Sequence, residues 1–176
     1  MKGTTILSGR DSPARDRYRL LGSRDAPPIV MFGDVLDSGY RAFLPVLESL
    51  VNHRAACVHY AHYAPPSGFH ATRRREIACA LEAAARQGMF WPYHRLLLTE
   101  WVSVNRAGLV HRAHFLGMSV ERFEHDLILD EVSHAVDHDT DWADELGVRR
   151  LPAIAIDGRH YDGSLQRTAI LAALGG

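Results

Sequence analysis

The 176-residue chain is 47% apolar and 23% charged, and its 20 basic residues nearly balance its 21 acidic ones. This much apolar material with a net charge of −1 excludes intrinsic disorder and predicts one globular domain with its own core. The charge balance also disfavours nucleic acid as a partner. Because Cys57 and Cys79 are the only cysteines, a fold held together by disulfides is excluded.

The N-terminal part predicts neither a targeting segment nor a membrane anchor. Residues 1–27 form a polar lead-in without the apolar run of a signal peptide, and no apolar stretch in the chain is as long as a membrane span. We therefore expect a cytoplasmic protein with reduced thiols, in which residues 28–176 form the folded domain. Both cysteines are then expected to pack as small core residues.

The first predicted unit is β-α-β. The apolar run Ile29–Phe32 ends at a Gly-Asp pair and is typical of a buried strand. A helix follows, with Asp37 or Ser38 as its N-cap. Ala55–Tyr63 is rich in β-branched and aromatic residues and predicts a second strand, parallel to the first with a right-handed crossover. One apolar face of the helix carries Phe43, Val46, Leu47 and Leu50.

Amphipathic patterns predict five helices in the middle of the chain. Glycines that can end a helix in the left-handed conformation follow three of them, at positions 88, 117 and 147. The helical block spans about residues 66–147. Its members are Ala71–Gln87, Phe90–Trp101, Ala107–Leu116, a helix capped by Ser119 and running through Leu127, and about Glu131–Leu146.

The C-terminal part returns to β structure. Leu151–Ile156 predicts a strand that begins with a proline, and Asp157-Gly158 is a strong two-residue hairpin signal. Arg159–Tyr161 would be the antiparallel return strand, and Ser164 would cap a final helix ending at Leu174. The complete order is β-α-β, a helical block, then β-β-α.

Several short motifs accompany this order along nearly the whole chain. They are Arg15-Asp16, Gly22, Asp25-Ala26-Pro27, Phe32-Gly33-Asp34, Pro45, Gln87-Gly88-Met89-Phe90-Trp91, Leu151-Pro152 and Asp157-Gly158-Arg159. Together they resemble the DsbA-like branch of the thioredoxin superfamily, and most closely its compact subgroup found alone or fused to the C-terminus of bacterial sodium/proton antiporters. The resemblance implies an α/β thioredoxin-like fold with a DsbA-type helical insertion, and it places the family's cis-proline at Pro152.

The chain departs from this family at the redox motif. Counted without gaps from Gly33-Asp34, the family's Cys-X-X-Cys falls on Asp37, Ser38, Gly39 and Tyr40. Thiol–disulfide exchange then has neither an attacking nor a resolving sulfur. Cys57 in the second strand and Cys79 in mid-helix cannot replace them. The resemblance therefore implies the fold and the place of the site, without the family's oxidoreductase activity.

The residues at that place support two interpretations. Asp37 supplies a permanent anion where the family holds a thiolate, either as a helix cap alone or together with Tyr40 as an acid/base or hydrogen-bonding pair. Ser38 and Tyr40 are similar to the hydroxyl groups with which kappa-type glutathione transferases hold glutathione. A carboxylate at residue 37 would, however, repel a glutathione thiolate. Asp37, Ser38 and Tyr40 are thus the candidate catalytic residues, with glutathione a possible cofactor.

The candidate ligand-binding residues are Gly39, Leu151, Pro152 and His62. Next to the family's cis-proline, the backbone of Leu151 would pair with an extended peptide or thiol ligand, or else the proline only shapes the turn. His62 resembles the histidine or arginine that ends the second strand in the family.

The remaining polar clusters are expected to be solvated. His134 and His138 share a helical face, which can hold a metal, but no triplet with metal-ligand spacing exists and we expect no metal site. Arg73-Arg74-Arg75 is read as a solvated face near a helix start.

Three functions follow as hypotheses. The first is a redox-degenerate DsbA-like protein that binds a peptide, a protein or a small molecule in the former active-site groove. The second is a transferase or isomerase dependent on glutathione or another small molecule and using Asp37, Ser38 and Tyr40. The third is a regulatory domain, related to the antiporter-fused forms, with a membrane transporter as its partner.

Overall fold

Five strands form one mixed sheet in the computed structural model, which describes residues 19–99 and 104–175. The strands are β1 (Leu20–Leu21), β2 (Pro28–Gly33), β3 (Cys57–His62), β4 (Ala153–Ile156) and β5 (Arg159–His160). Their spatial order is β1-β3-β2-β4-β5. Strands β2 and β3 are parallel, and all other neighbours are antiparallel.

The register of these strands brings two chain segments to one edge of the sheet. Gly33, the last residue of β2, lies opposite His62 at the end of β3, and Phe32 lies opposite Ala153 at the start of β4. The segment leaving β2 and the segment entering β4 therefore meet at the same edge.

Seven helices are described, and they cover both faces of the sheet. They are α1 (Ser38–Asn52), α2 (Ala71–Ala85), α3 (Phe90–Thr99), α4 (Arg106–Phe115), α5 (Val120–Asp126), α6 (Asp130–Glu145) and α7 (Arg167–Ala173). The face carrying Ile29 and Met31 packs against α1, α7 and the insertion. The opposite face, carrying Val30 and Phe32, packs against the end of α6 at Ala143. Alternation of apolar side chains along β2 thus supplies both cores.

The predicted order of elements is confirmed, with two local differences. Strand β1 lies inside the segment read as a polar lead-in, and it pairs antiparallel with β3 through Leu20 and His59. The last helix begins at Arg167 with Gln166 as its N-cap, so the prediction of Ser164 as the cap is wrong. The Ser164 hydroxyl instead accepts a hydrogen bond from the Gln166 amide at 3.3 Å, forming a turn before the helix.

Both cysteines are buried and unpaired, as the sequence predicts. Burial raises the pKa of the Cys57 thiol and also that of the Cys79 thiol. Across residues 19–99 and 104–175, no helix combines the length and apolar character needed to cross a membrane.

Candidate functional site

The N-terminus of α1 is built by a turn after β2. The Asp37 amide donates to the Asp34 carbonyl at 3.0 Å, and Asp37 Oδ1 accepts from the Tyr40 amide at 2.7 Å. Asp37 is therefore the N-cap, one of the two alternatives that the sequence left open. Its carboxylate lies where the helix dipole favours negative charge. Asp37 is half-buried, and Ser38, the first residue of the helix, is exposed.

The segment before β4 lies directly against this helix end. The Leu151–Pro152 peptide bond is cis. A Cβ atom at residue 39 would lie 2.9 Å from Pro152 Cδ and 3.2 Å from the Leu151 carbonyl oxygen, so only glycine permits this approach. Within the described residues, the main chain of Leu151 makes no hydrogen bond. We call the patch formed by Asp37, Ser38, Gly39, Leu151 and Pro152 the α1 N-terminal surface.

Tyr40 is directed away from this surface. Its side chain is fully buried, and its hydroxyl shares a hydrogen bond of 2.7 Å with His94 Nε2. Burial raises the pKa of Tyr40 well above its usual value and lowers that of His94 to about 3. Tyr40 thus stays protonated and His94 neutral. Asp37 contacts the main chain of Tyr40, so the structure does not bring the carboxylate and the phenol together as a pair.

His62 also lies in the interior. Its Nε2 is 2.9 Å from Glu82 Oε1, and its amide donates to Asp139 Oδ2 at 2.9 Å. Only 1% of its surface is exposed. His62 therefore belongs to a buried polar cluster, separate from the α1 N-terminal surface.

Arg19 holds this buried cluster together. Its guanidinium lies 3.1 Å from Glu82 and is also hydrogen bonded to Asp139. Burial alone would raise the pKa of both carboxyl groups, but Arg19 and further hydrogen bonds outweigh it and lower both pKa values. Sequence reasoning missed Arg19 and Glu82. The one local signal is a glutamate among the alanines of α2.

The arginine run at the start of α2 is only partly a solvated face. Arg74 is ion-paired with Asp34, whose other carboxylate oxygen accepts from the Leu36 amide at 2.9 Å. Arg75 forms a two-point pair with Asp137. Arg73 is exposed, as predicted, and the Arg75 pair also lies at the surface, with 39% of the Arg75 side chain and 45% of the Asp137 side chain exposed. The expectation is wrong for Arg74, because it pairs with the buried carboxylate of Asp34.

The two histidines predicted to share a face of α6 lie in different surroundings, one in solvent and one beside the buried cluster. His134 is exposed, and His138 Nδ1 lies 3.8 Å from Asp139. In the part of the chain that the structure describes, no three His, Cys, Asp or Glu side chains are grouped to hold a metal ion.

No family model matches the chain. Among curated proteins, it is 31% identical over 164 residues to a sodium/proton antiporter, NhaA 3 of Salinispora tropica, covering 92% of this chain and 24% of the antiporter. It is 37% identical over 97 residues to the antiporter NhaA of Herminiimonas arsenicoxydans, covering 55% of this chain and 16% of that protein. The chain therefore spans about a quarter or less of the length of these relatives.

Solved structures show the fold directly. A thioredoxin-like oxidoreductase from Silicibacter pomeroyi superposes with a TM-score of 0.75 at 22% identity, covering 96% of both chains. BdbD from Bacillus subtilis gives 0.72 at 18% identity, covering 97% of this chain and 96% of BdbD. The thiol-disulfide exchange protein α-DsbA2 from Wolbachia pipientis gives 0.75 at 15% identity, covering 90% and 86%. The predicted thioredoxin-like fold with a DsbA-type insertion is confirmed.

Proposed function

We propose that this chain is a thioredoxin-fold binding protein without thiol–disulfide activity, which holds an extended peptide segment at the α1 N-terminal surface. The observation that carries the proposal is the main chain of Leu151, which has no hydrogen-bond partner among the described residues and lies beside a helix N-terminus capped by a carboxylate. An extended peptide can satisfy such a backbone by adding to it as a strand does.

The α1 N-terminal surface lacks the two thiols that thiol–disulfide exchange needs. Exchange requires a thiolate that attacks and a second thiol that resolves the mixed disulfide. Residues 37–40 are Asp-Ser-Gly-Tyr, at the positions where the family resemblance places its two cysteines. The two thiols of the chain are buried in β3 and α2, and burial raises the pKa of each, which disfavours the reactive thiolate.

The same surface offers polar groups to a bound peptide. The Leu151 amide and carbonyl supply one donor and one acceptor, and the second carboxylate oxygen of Asp37 can accept an N–H. Ser38 is exposed and adds a hydroxyl. The surface is thus suited to recognise a backbone, with specificity coming from the ligand side chains that lie against Leu151 and Pro152.

The experiment titrates the protein with a panel of short unstructured peptides and follows backbone amides by NMR. Binding should shift the amides of Ser38, Gly39 and Leu151, and Ser38→Trp should abolish it by covering the surface. Glu48→Trp, at an exposed position later in α1, is the matched control and should bind normally. The unmodified protein should not reduce insulin. Reduction of insulin by the unmodified protein would disprove the absence of thiol–disulfide activity. Unchanged peptide binding by Ser38→Trp would disprove the α1 N-terminal surface as the binding site.

A glutathione-dependent enzyme is the alternative that the same titration tests. The geometry favours it less, because the Tyr40 hydroxyl is buried against His94 and the Asp37 carboxylate would repel a thiolate. Reduced glutathione should leave the amides of the α1 N-terminal surface unshifted. A shift that Ser38→Ala removes would establish the enzyme class instead.

The likeness to part of sodium/proton antiporters supports a second candidate, regulation of such a transporter. The probe is a bacterial sodium/proton antiporter without a region similar to this chain, reconstituted in vesicles. The chain should sediment with these vesicles and not with empty ones, and Ser38→Trp should reduce the bound fraction. Equal sedimentation with both kinds of vesicle would contradict this role.

A further inference from the structure

A second concave site lies in the helical insertion, away from the α1 N-terminal surface. Helices α2, α4 and α6 and the residue that follows α5 enclose a cleft with a volume of about 270 Å³. This volume lies just below the usual range of ligand pockets, about 300–1,000 Å³, and suits a molecule of amino-acid size better than an oligopeptide. We call it the insertion cleft.

The floor of the insertion cleft is apolar. Leu109 of α4 and Cys79 of α2 are buried, and Leu127 is half-buried. Burial raises the pKa of the Cys79 thiol, so this side chain is an uncharged part of the floor. Burying the apolar part of a ligand against this floor would favour binding, because it removes apolar surface from water.

The rim of the insertion cleft carries one cation and one anion without a charged partner among residues 19–99 and 104–175. Arg106 at the start of α4 and Glu76 of α2 are exposed and line the cleft. Neither has a hydrogen bond or an ion pair to any described residue. By contrast, Arg75, which also lines the cleft, already has its charge balanced by a two-point pair with Asp137.

We propose that the insertion cleft binds a small zwitterion with an apolar body, of the class of the apolar amino acids. The carboxylate of such a ligand pairs with Arg106, its ammonium group pairs with Glu76, and its side chain covers Leu109 and Leu127. Arg106 is well suited to a carboxylate because its planar guanidinium can donate two parallel hydrogen bonds. Thr72, which also lines the cleft, adds a hydroxyl group. The Ser133 hydroxyl donates to the Asp130 carbonyl at 3.2 Å and can still accept a hydrogen bond from the ligand's ammonium group.

Leucine, methionine and phenylalanine are the probes for this site, followed by NMR of the backbone amides of the unmodified protein. At about 10 mM, at least one of them should shift the amides of Cys79, Leu109 and Leu127, since weak small-molecule sites have dissociation constants in the millimolar range. The matched probes 4-methylpentanoate and 3-methylbutylamine each lack one charge of leucine. Each should bind at least about tenfold more weakly than leucine.

Two charge-removing variants separate the two contacts. Arg106→Gln should weaken binding of both leucine and 4-methylpentanoate, whereas Glu76→Gln should weaken leucine without weakening the acid. Arg73→Gln and Glu124→Gln, at exposed positions outside the cleft, are the controls and should bind like the unmodified protein. The proposal is overturned if none of the three amino acids shifts these amides, if the acid binds as well as leucine, or if variants and controls behave alike. None of these outcomes depends on peptide binding at the α1 N-terminal surface.

Discussion

The Tyr40 hydroxyl and His94 Nε2 are joined by a 2.7 Å hydrogen bond in a part of the protein that water does not reach. This bond connects the first turn of α1 to α3 in the helical insertion. The ring of Tyr60 contacts both partners edge-on, with centroid distances of 6.2 Å to Tyr40 and 5.5 Å to His94. The first turn of α1, which carries the Asp37 cap, is therefore held to the protein interior by a hydrogen bond that lies within an aromatic cluster.

Removing one side of this hydrogen bond should destabilise the fold. Tyr40→Phe leaves His94 Nε2 buried without a partner, and we expect the free energy of unfolding to fall by about 1–3 kcal/mol. Urea unfolding followed by circular dichroism measures this change. The control is Tyr161→Phe, which removes an exposed bond of 3.2 Å to the Ser164 carbonyl and should cost little. Equal losses in the two variants would show that the buried hydrogen bond stabilises the fold no more than the exposed one.

The buried His94 should make stability depend on pH. Burial lowers its pKa from 6.5 to about 3 in the folded state, so the unfolded chain binds the extra proton between these values. The free energy of unfolding should therefore fall as the pH drops from about 6.5 towards 3. His94→Gln removes the titrating group, so the free energy of unfolding should depend less on pH just below 6.5. Urea unfolding at several pH values measures this change. His111→Gln, on the exposed face of α4, should keep the slope; a slope unchanged in His94→Gln would disprove the assignment.

The buried cluster around Arg19 should be intolerant of losing its cation. Arg19→Met leaves Glu82 and Asp139 as buried carboxylates without their guanidinium, and we expect a loss of about 3–5 kcal/mol. Glu82→Gln added to this variant removes one of the two uncompensated charges and should restore part of the loss. Chemical denaturation of all three proteins measures both effects. Arg24→Met, an exposed change nearby, is the control and should be close to neutral. A similar cost for Arg19→Met and Arg24→Met would contradict the role of the cluster.

Features encoded by neighbouring residues were predictable from the sequence. The Asp37 cap depends on an amide three residues later, and the strand β2 is visible in an uninterrupted apolar run. The hairpin turn is signalled by Asp157-Gly158, and both residues adopt the left-handed conformation that this turn requires. Local rules of capping and turn geometry therefore predicted these elements, whereas the place of the candidate site was implied by the family resemblance.

Features that join distant parts of the chain were not predictable in the same way. Arg19 and Asp139 are separated by 120 residues, and Tyr40 and His94 by 54. No local pattern shows which histidine is buried, and polar residues in a lead-in such as Arg19 are ordinarily solvated. Strand β1 has only two residues and exists because β3 offers it an edge. The interior partners of Tyr40 and His62 follow from packing between elements, which spacing along the chain does not encode.

The close approach of α1 to the Leu151–Pro152 segment yields a last prediction. In Gly39→Ala, the new methyl group would lie 2.9 Å from Pro152 Cδ and 3.2 Å from the Leu151 carbonyl, so the two segments must move apart. We expect a loss of about 1–3 kcal/mol in the free energy of unfolding, typical of overpacking, together with shifts of the Leu151 and Ala153 amides in NMR spectra. Ser38→Ala, at the adjacent exposed position, should change the free energy of unfolding by no more than about 0.5 kcal/mol and leave those amides in place. Because the substitution separates the groups that form the α1 N-terminal surface, Gly39→Ala should also weaken peptide binding there. Peptide binding by Gly39→Ala as tight as that of the unmodified protein would mean that the spacing of these two segments does not determine recognition.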